Sequence, residues 1–376
     1  MNQKETRRNN GEGSVFYRED KGLWCACVQV GIDFNGRRKR KTIYAKSKKE
    51  LLEKKKELES SILTGTYIES SKITLGEYLI KWLDEVCSVS IRPSTYLLYK
   101  GIIRKHIIPE IGSIPLNKIT ALQIQAFYNK KLNDGLSSSK VRHIHAILHK
   151  SFTQAVKWGM IRTNVTDLVQ KPRIIRKELN VWDQDQIKLF LEEAKRDRYY
   201  CLFLLALTTG LRQGELIGLQ WNDIDLENEF ITVRRTVKEL NGKLIIGEPK
   251  TVKGKRLVSL PKVAVSALKV LKKEKGIDDD RGDTWVFTDT KNGLIRVQNL
   301  YKRHYKKVIE NAKLPYIRFH DLRHCHATLL LQQGINPKIV QERLGHSNIS
   351  ITLDIYSHVL PSMQKTVAKE LDMLFG

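Results

Sequence analysis

The stretch HDLRHCHATLLL, residues 320–331, holds three histidines, a cysteine and an arginine within seven consecutive positions, His320 to His326. The largely apolar run from Ala327 to Leu331 favours a helix, and on a helix His320 and His324 stand at i and i+4 on one face with Arg323 beside them. Paired histidines one turn apart suit a zinc ion. A permanently charged guanidinium next to His320 opposes a cation and suits a phosphate or another oxyanion. Ordinary histidines, packed and hydrogen-bonded along a helix, are the third reading for each one singly. The stretch by itself leaves all three open.

Other groups suited to a phosphate recur through the C-terminal half. In TTGLRQGEL, Arg212 follows a glycine turn and Glu215 lies one helical turn beyond it. The segment PKTVKGKRLVSLP supplies Lys250 and Lys253, LGHSNI supplies His346, and ITLDIYSHV supplies Tyr356. The chain carries no Walker loop, no carboxylate-rich metal cluster and no Gly-x-Ser-x-Gly elbow. The expectation is a phosphate site that needs no metal and no cofactor.

The elements that must position these groups read as an α+β multidomain chain. With 376 residues the chain exceeds one typical core, so two or three domains are expected. Its 66 Lys and Arg against 41 Asp and Glu give a formal net charge of +25, which points to nucleic acid as partner. No apolar run approaches the roughly 18 residues of a membrane span, and the polar start lacks a signal-peptide core, so an intracellular protein is expected. The five scattered cysteines form no C-x-x-C pair, which argues against a disulfide framework or a zinc ribbon; Cys25 and Cys27 read as buried small hydrophobes.

Residues 1–68 read as a flexible start, a small three-stranded sheet and a helix. Turn signals lie at Asp20–Gly22 and Asn35-Gly36, Arg37 to Arg40 sit on the second hairpin, and Ser47 with Glu50 forms a capping-box pattern. That hairpin is a candidate for laying a face into a DNA groove. Residues 72–170 read as a four-helix bundle opened by TLGE at Thr74, its faces carrying Lys100, Arg104, Lys105, Lys130, Lys140 and Arg142 for phosphate contacts. A basic linker, QKPRIIRKELN, leads to residues 178–376, mostly helical and interrupted by a small antiparallel sheet.

The four motifs TGLRQGEL, the lysine hairpin, HDLRHCHATLLL and LGHSNISITLDIYSHV stand in the order found in tyrosine recombinases of the phage-integrase type, and the chain resembles that family over nearly its whole length. The resemblance implies a three-domain integrase: an arm-type DNA-binding domain, a core-binding domain and a catalytic domain. It implies Tyr356 as the nucleophile that leaves a 3′-phosphotyrosine, and Arg212 and Arg323 as the clamp on the nonbridging oxygens. His346 would add a hydrogen bond there, and Lys253 would be the general acid for the 5′-oxygen. His320 would accept or position the tyrosine proton, and Glu215 would orient the others. Lys250, Lys255 and Arg256 compete with Lys253 should the turn be longer, and His324, Cys325 and His326 are expected to pack locally. The resemblance further implies double-stranded DNA with arm and core sites as substrate, a homo-tetramer, a DNA-bending protein and a directionality factor as partners, and a cytoplasmic place at a bacterial nucleoid. Val367, Leu371 and Leu374 form an apolar stripe that would dock on a neighbouring subunit or pack on its own domain.

Overall fold

The computed structural model describes residues 15–32, 37–64, 73–174, 180–240, 242–249, 254–277, 283–356, 368 and 371–375. It divides into two compact units, Met1–Arg176 and Lys177–Gly376, with the division inside the basic linker. The Asn35-Gly36 turn, Lys250, Lys253 and Val367 lie outside the described residues.

In the first unit, β1 (Val15–Arg18), β2 (Leu23–Ile32) and β3 (Arg38–Ala45) form an antiparallel sheet in that order. Gly22 takes a φ of 63° in the first turn, which glycine adopts without strain. Alternation places Val15, Trp24, Ala26, Ile43 and Ala45 on one face, where they pack around Leu51 of the helix Lys48–Leu63. The other face carries Phe16, Cys25, Cys27, Arg40 and Tyr44. Cys25 is buried as expected, but Cys27 is only half-buried. Ser47 Oγ accepts from the Glu50 N–H at 3.2 Å, whereas the Glu50 carboxylate reaches past Ser47 to the Lys46 N–H at 3.3 Å. The expected cap forms with its return bond displaced by one residue.

The helical part of this unit has its own core. Thr74 Oγ1 accepts from the Glu77 N–H and the Glu77 carboxylate accepts from the Thr74 N–H at 2.9 Å, a complete capping box. Helices Leu75–Trp82, Pro93–Ile102, Ala121–Asn133 and Ser138–Lys157 follow, the first two prolonged by single π turns at Leu83–Cys87 and Ile103–Ile107. Their apolar stripes meet around Tyr78, Trp82, Ile103, Tyr128, Leu148 and Phe152. Of the basic side chains expected to face phosphate, Arg104, Lys105, Lys130 and Arg142 are exposed, but Lys130 is held by Glu110 at 2.7 Å.

In the second unit the helix Tyr200–Thr209 is apolar on every side and runs through the middle of the core, which places its C-terminal end deep in the unit. The single small sheet expected here is two: β4 (Ile224–Asp225), β5 (Phe230–Val233) and β8 (Arg256–Ser259) form one, and β6 (Thr236–Leu240) pairs with β7 (Lys243–Gly247) in a separate hairpin. Helices Asp321–Gln332 and Pro337–Leu344 pack through Ala327, Leu331, Val340 and Leu344. No helix among the described residues is long and apolar enough to cross a membrane.

Removing the Thr74 hydroxyl leaves the Glu77 N–H uncapped, at a cost of about 1 kcal/mol. In full-length Thr74→Ala, amides of the helix Leu75–Trp82 should exchange with solvent about fivefold faster than in wild type, with amides of the second unit unchanged. Equal exchange in both proteins would show that the cap contributes nothing.

Candidate active site

The central helix ends at Gly210, whose φ of 65° reverses the chain. A Cβ at Gly210 would lie 2.6 Å from His326 Cδ2 and 2.7 Å from Leu344 Cδ2, so only glycine lets the three segments approach. Two residues on, Arg212 caps the short helix Gln213–Ile217, and its N–H donates to Glu215 Oε2 at 2.9 Å. The Arg212 guanidinium donates from Nη1 to Glu215 Oε1 at 2.8 Å and from Nη2 to the Gly345 carbonyl at 3.2 Å. With its side chain 39% exposed, Arg212 keeps an open side toward solvent.

Arg323, in the first turn of its helix, is buried, and among the described residues no carboxylate is in hydrogen-bonding range of it. Its Nη1 donates to the Gly210 carbonyl at 2.7 Å and its Nη2 to the Leu344 carbonyl at 2.6 Å. Arg212 and Arg323 therefore hang from adjacent carbonyls, Gly345 and Leu344, of one turn. His346 comes from the same turn, which Gly345 makes with a φ of 66°. Its Nδ1 lies 3.0 Å from Thr352 Oγ1, and Thr352 sits in the helix Ser350–Tyr356 that ends with Tyr356, about one turn later. When the Thr352 hydroxyl donates to Nδ1, Nε2 carries the proton and is left to donate to an oxyanion.

The electrostatics favour an anion. Arg212 and Arg256 bind one buried carboxylate, that of Glu215, Arg323 lies within its field, and Arg343 stands beside Arg256. Burial alone would raise the Glu215 carboxyl, but Arg256 foremost, with Arg212, outweighs burial and the net shift is downward. Burial, then Arg212 and Arg256, lowers Arg323 to about 9, which leaves it charged at neutrality. Burial, then Arg323 and Arg212, lowers His346 to about 3. His320 caps the helix Asp321–Gln332 with one edge exposed, and the protein around the rest of the ring, then His324 and Arg323, push it downward.

The histidines of the stretch make different contacts. His320 and His324 meet edge to face with ring centroids 5.3 Å apart, yet no group of three His, Cys, Asp or Glu among the described residues could hold a metal ion. Cys325 is buried and accepts from the Trp182 N–H at 3.3 Å. His326 Nδ1 donates to the Leu207 carbonyl at 2.8 Å, and its Nε2 accepts from Arg343 Nε at 3.2 Å. His326 and Cys325 are thus packing residues.

Two residues go beyond the sequence reading. Arg256, weighed beside the lysines as a proton donor, is instead bound to the Glu215 carboxylate at 3.0 Å, and Lys255 pairs with Glu248 at 3.0 Å. Arg343 was not singled out at all. Its Nη2 donates to the carbonyls of Thr208 and Ser259, both at 2.9 Å, tying the central helix to β8. Nothing in its local pattern marks an arginine for such a task.

Because His326 and His346 are pushed well below the ordinary 6.5, the unfolded chain binds more protons than the folded one between those values, so stability is lost as pH falls through that window. The melting temperature should drop steadily from about pH 7 to about pH 5, and the two imidazoles should show no titration near their ordinary value by NMR. An inflection near 6.5 in either imidazole would contradict this account of the site.

Comparison with known proteins identifies the family. The model of the phage integrase family matches residues 180–363, and that of the phage integrase N-terminal SAM-like domain matches residues 74–132. A tyrosine recombinase XerC-like protein of Caldanaerobacter subterraneus is 34% identical over 96% of this chain and 98% of its own length. The ICEBs1 integrase of Bacillus subtilis is 31% identical over 94% of this chain and 98% of its own. Among solved structures, the Tn1549 transposon integrase in complex with a circular intermediate DNA has a TM-score of 0.68 at 23% identity, covering 78% of this chain and 99% of that one. A lambda integrase tetramer bound to a Holliday junction has a TM-score of 0.58 at 18% identity, covering 93% and 96%. The chain belongs to the phage integrase family of tyrosine recombinases.

Proposed function

We propose that this chain is the integrase of a phage or an integrative mobile element, a site-specific recombinase that cuts and rejoins DNA without metal or ATP. The observation that carries the residue roles is the suspension of Arg212 and Arg323 from adjacent carbonyls beside His346. Two guanidiniums and an imidazole N–H held on one turn match the nonbridging oxygens of a phosphodiester. Tyr356 Oη attacks the scissile phosphorus, the bond to the 5′-oxygen breaks, and a 3′-phosphotyrosine forms. His320 takes the phenolic proton. Lys253 gives a proton to the departing 5′-oxygen, Lys250 being the alternative. Attack by a 5′-hydroxyl on the phosphotyrosine reverses each transfer, so the ester energy is conserved and no nucleotide is consumed.

In this reading residues 1–68 read arm sites, residues 72–170 and 178–376 hold the core site, and a homo-tetramer assembles on DNA in the bacterial cytoplasm. The separate cores of the sheet and of the bundle support the division of the first unit. One protein bridging arm and core sites needs sharply bent DNA, hence a bending protein, and excision calls for a directionality factor. The tail stripe at Val367, Leu371 and Leu374 docks on a neighbouring subunit; the exposure of Leu371 and Leu374 supports this.

Incubation with nicked duplexes from the element's ends, in chelator, should yield a covalent protein–DNA adduct on a denaturing gel. Tyr356→Phe should bind the same DNA and give no adduct. Of Lys253→Ala and Lys250→Ala, the variant at the general acid should lose about a hundredfold or more in cleavage rate. An adduct that survives Tyr356→Phe would place the nucleophile elsewhere, and tight specific binding with no adduct in wild type would make the protein a DNA-binding regulator.

Binding itself should weaken by about 10³-fold or more between roughly 50 and 200 mM salt, as release of counterions from the phosphates requires. An affinity indifferent to salt would remove the basis for reading the charge of +25 as a DNA-binding feature.

A further inference from the structure

Arg256 opens β8, and all three nitrogens of its guanidinium are engaged within the protein. Nη2 donates to Glu215 Oε2 at 3.0 Å and Nη1 to Glu215 Oε1 at 3.4 Å and to the Gly254 carbonyl at 3.2 Å. Its Nε donates to the Arg343 carbonyl at 2.8 Å. With a side chain 7% exposed, Arg256 offers little surface to a DNA phosphate. It nevertheless touches both supports of the clamp: the carboxylate that holds Arg212, and the segment Arg343–Leu344–Gly345 whose carbonyls hold Arg323 and Arg212 and which leads into His346.

The charge balance says why a second arginine is needed. A lone Glu215 carboxylate against Arg212 would neutralise it and compete with the phosphate for its N–H groups. Shared between Arg212 and Arg256, the same carboxylate leaves the trio with a net positive charge while still fixing the direction of Arg212. We propose that Arg256 is a positioning residue for strand cleavage, acting through Glu215 and the Arg343–Gly345 turn to present Arg212 to the scissile phosphate with its charge uncompensated. This rests on the reading of Arg212 and Arg323 as the phosphate clamp. The role belongs to the buried face of β8 and is separate from proton donation.

The test compares two scissile groups on the same nicked duplex: an ordinary phosphodiester, and a methylphosphonate in which one nonbridging oxygen is replaced by methyl so that the group is uncharged. Full-length Arg256→Met should cleave the phosphodiester about tenfold to a hundredfold more slowly than wild type, because the clamp is weakened and not removed. On the methylphosphonate, which makes little demand on the clamp, the gap to wild type should shrink to about threefold or less. Arg256→Lys, which keeps one charged donor for Glu215, should recover most of the phosphodiester rate. A purely structural loss would lower both substrates alike, so an equal defect on both overturns the proposal, as does an Arg256→Met protein indistinguishable from wild type on the phosphodiester. Should Arg256→Met fail to fold, the ratio of the two substrates in Arg256→Gln, which keeps a donor for Glu215 but no charge, decides in the same way. Arg212→Ala serves as the control: if it too leaves phosphodiester cleavage unchanged, the clamp reading itself has failed, whereas a defect in Arg212→Ala with none in the Arg256 variants sinks only the present proposal.

Discussion

A carboxylate that is 2% exposed and lies between two guanidiniums is the interaction around which the C-terminal half is arranged. Glu215 comes from a helix of five residues, Arg256 from a strand 41 positions later, and Arg343, whose carbonyl Arg256 holds, from the end of another helix. Burying such an ion trio costs several kcal/mol per ion in desolvation, and the attraction offsets that cost only when the geometry is good and the remaining hydrogen-bonding groups are satisfied. Both oxygens of Glu215 accept bonds, and every guanidinium nitrogen of Arg256 donates one. A trio of this kind stabilises little on balance. What it supplies is direction, since removing Glu215 or Arg256 leaves its buried partner charged and mismatched.

Arg323 illustrates the complementary device. It is buried against main-chain carbonyls, of Gly210 and Leu344, with no neutralising acid in hydrogen-bonding range among the described residues. Carbonyl dipoles hold a guanidinium in place without cancelling its charge, so its field remains available to an anion. The two glycines with left-handed φ, Gly210 and Gly345, permit this, because they bring the helix end and the turn close enough for the carbonyls to converge on one side chain. The buried histidines follow from the same field. Surrounded by arginines and cut off from water, His346 and His326 are held neutral, and His326 uses both ring nitrogens structurally, donating to Leu207 and accepting from Arg343.

Much of this was legible in the sequence, and the division between legible and hidden follows the range of the interactions. The capping box at Thr74, the helix start at Ser47, the hairpin turn at Gly22 and the boundary in the linker near residue 176 rest on contacts within a few positions, which local patterns encode. Helix geometry separates Arg323 only from Cys325, two positions on; His326, three positions on, shares the face of Arg323, and its inward contacts with Leu207 and Arg343 are not legible in the local pattern. What stayed hidden depends on pairing across long separations. That Arg256 serves Glu215 instead of the leaving group, that Arg343 braces the central helix against β8, and that the hairpin region makes two sheets instead of one are consequences of how distant segments meet. The half-burial of Cys27 is of the same origin, since alternation gives the face but not what covers it.

A site with three guanidiniums near one carboxylate, and Arg343 beside one of them, is internally repulsive, and that has a consequence for how it works. The repulsion is held in check by covalent connectivity, by carbonyl dipoles and by the packing of Leu344, Ala327 and Leu331 behind the turn. An anion placed among Arg212, Arg323 and His346 relieves it, so the free energy invested in assembling like charges during folding returns when the anion arrives. Anion binding and the stability of this unit are therefore linked: whatever binds the folded site and not the unfolded chain must stabilise the fold by mass action. The same logic accounts for the bracing of Arg212 and Arg323 by groups set largely inside the unit, Glu215 and Arg256. A guanidinium free to turn away would escape its neighbours at the expense of the phosphate, and only a rigid frame keeps the charges where their mutual repulsion makes an oxyanion welcome.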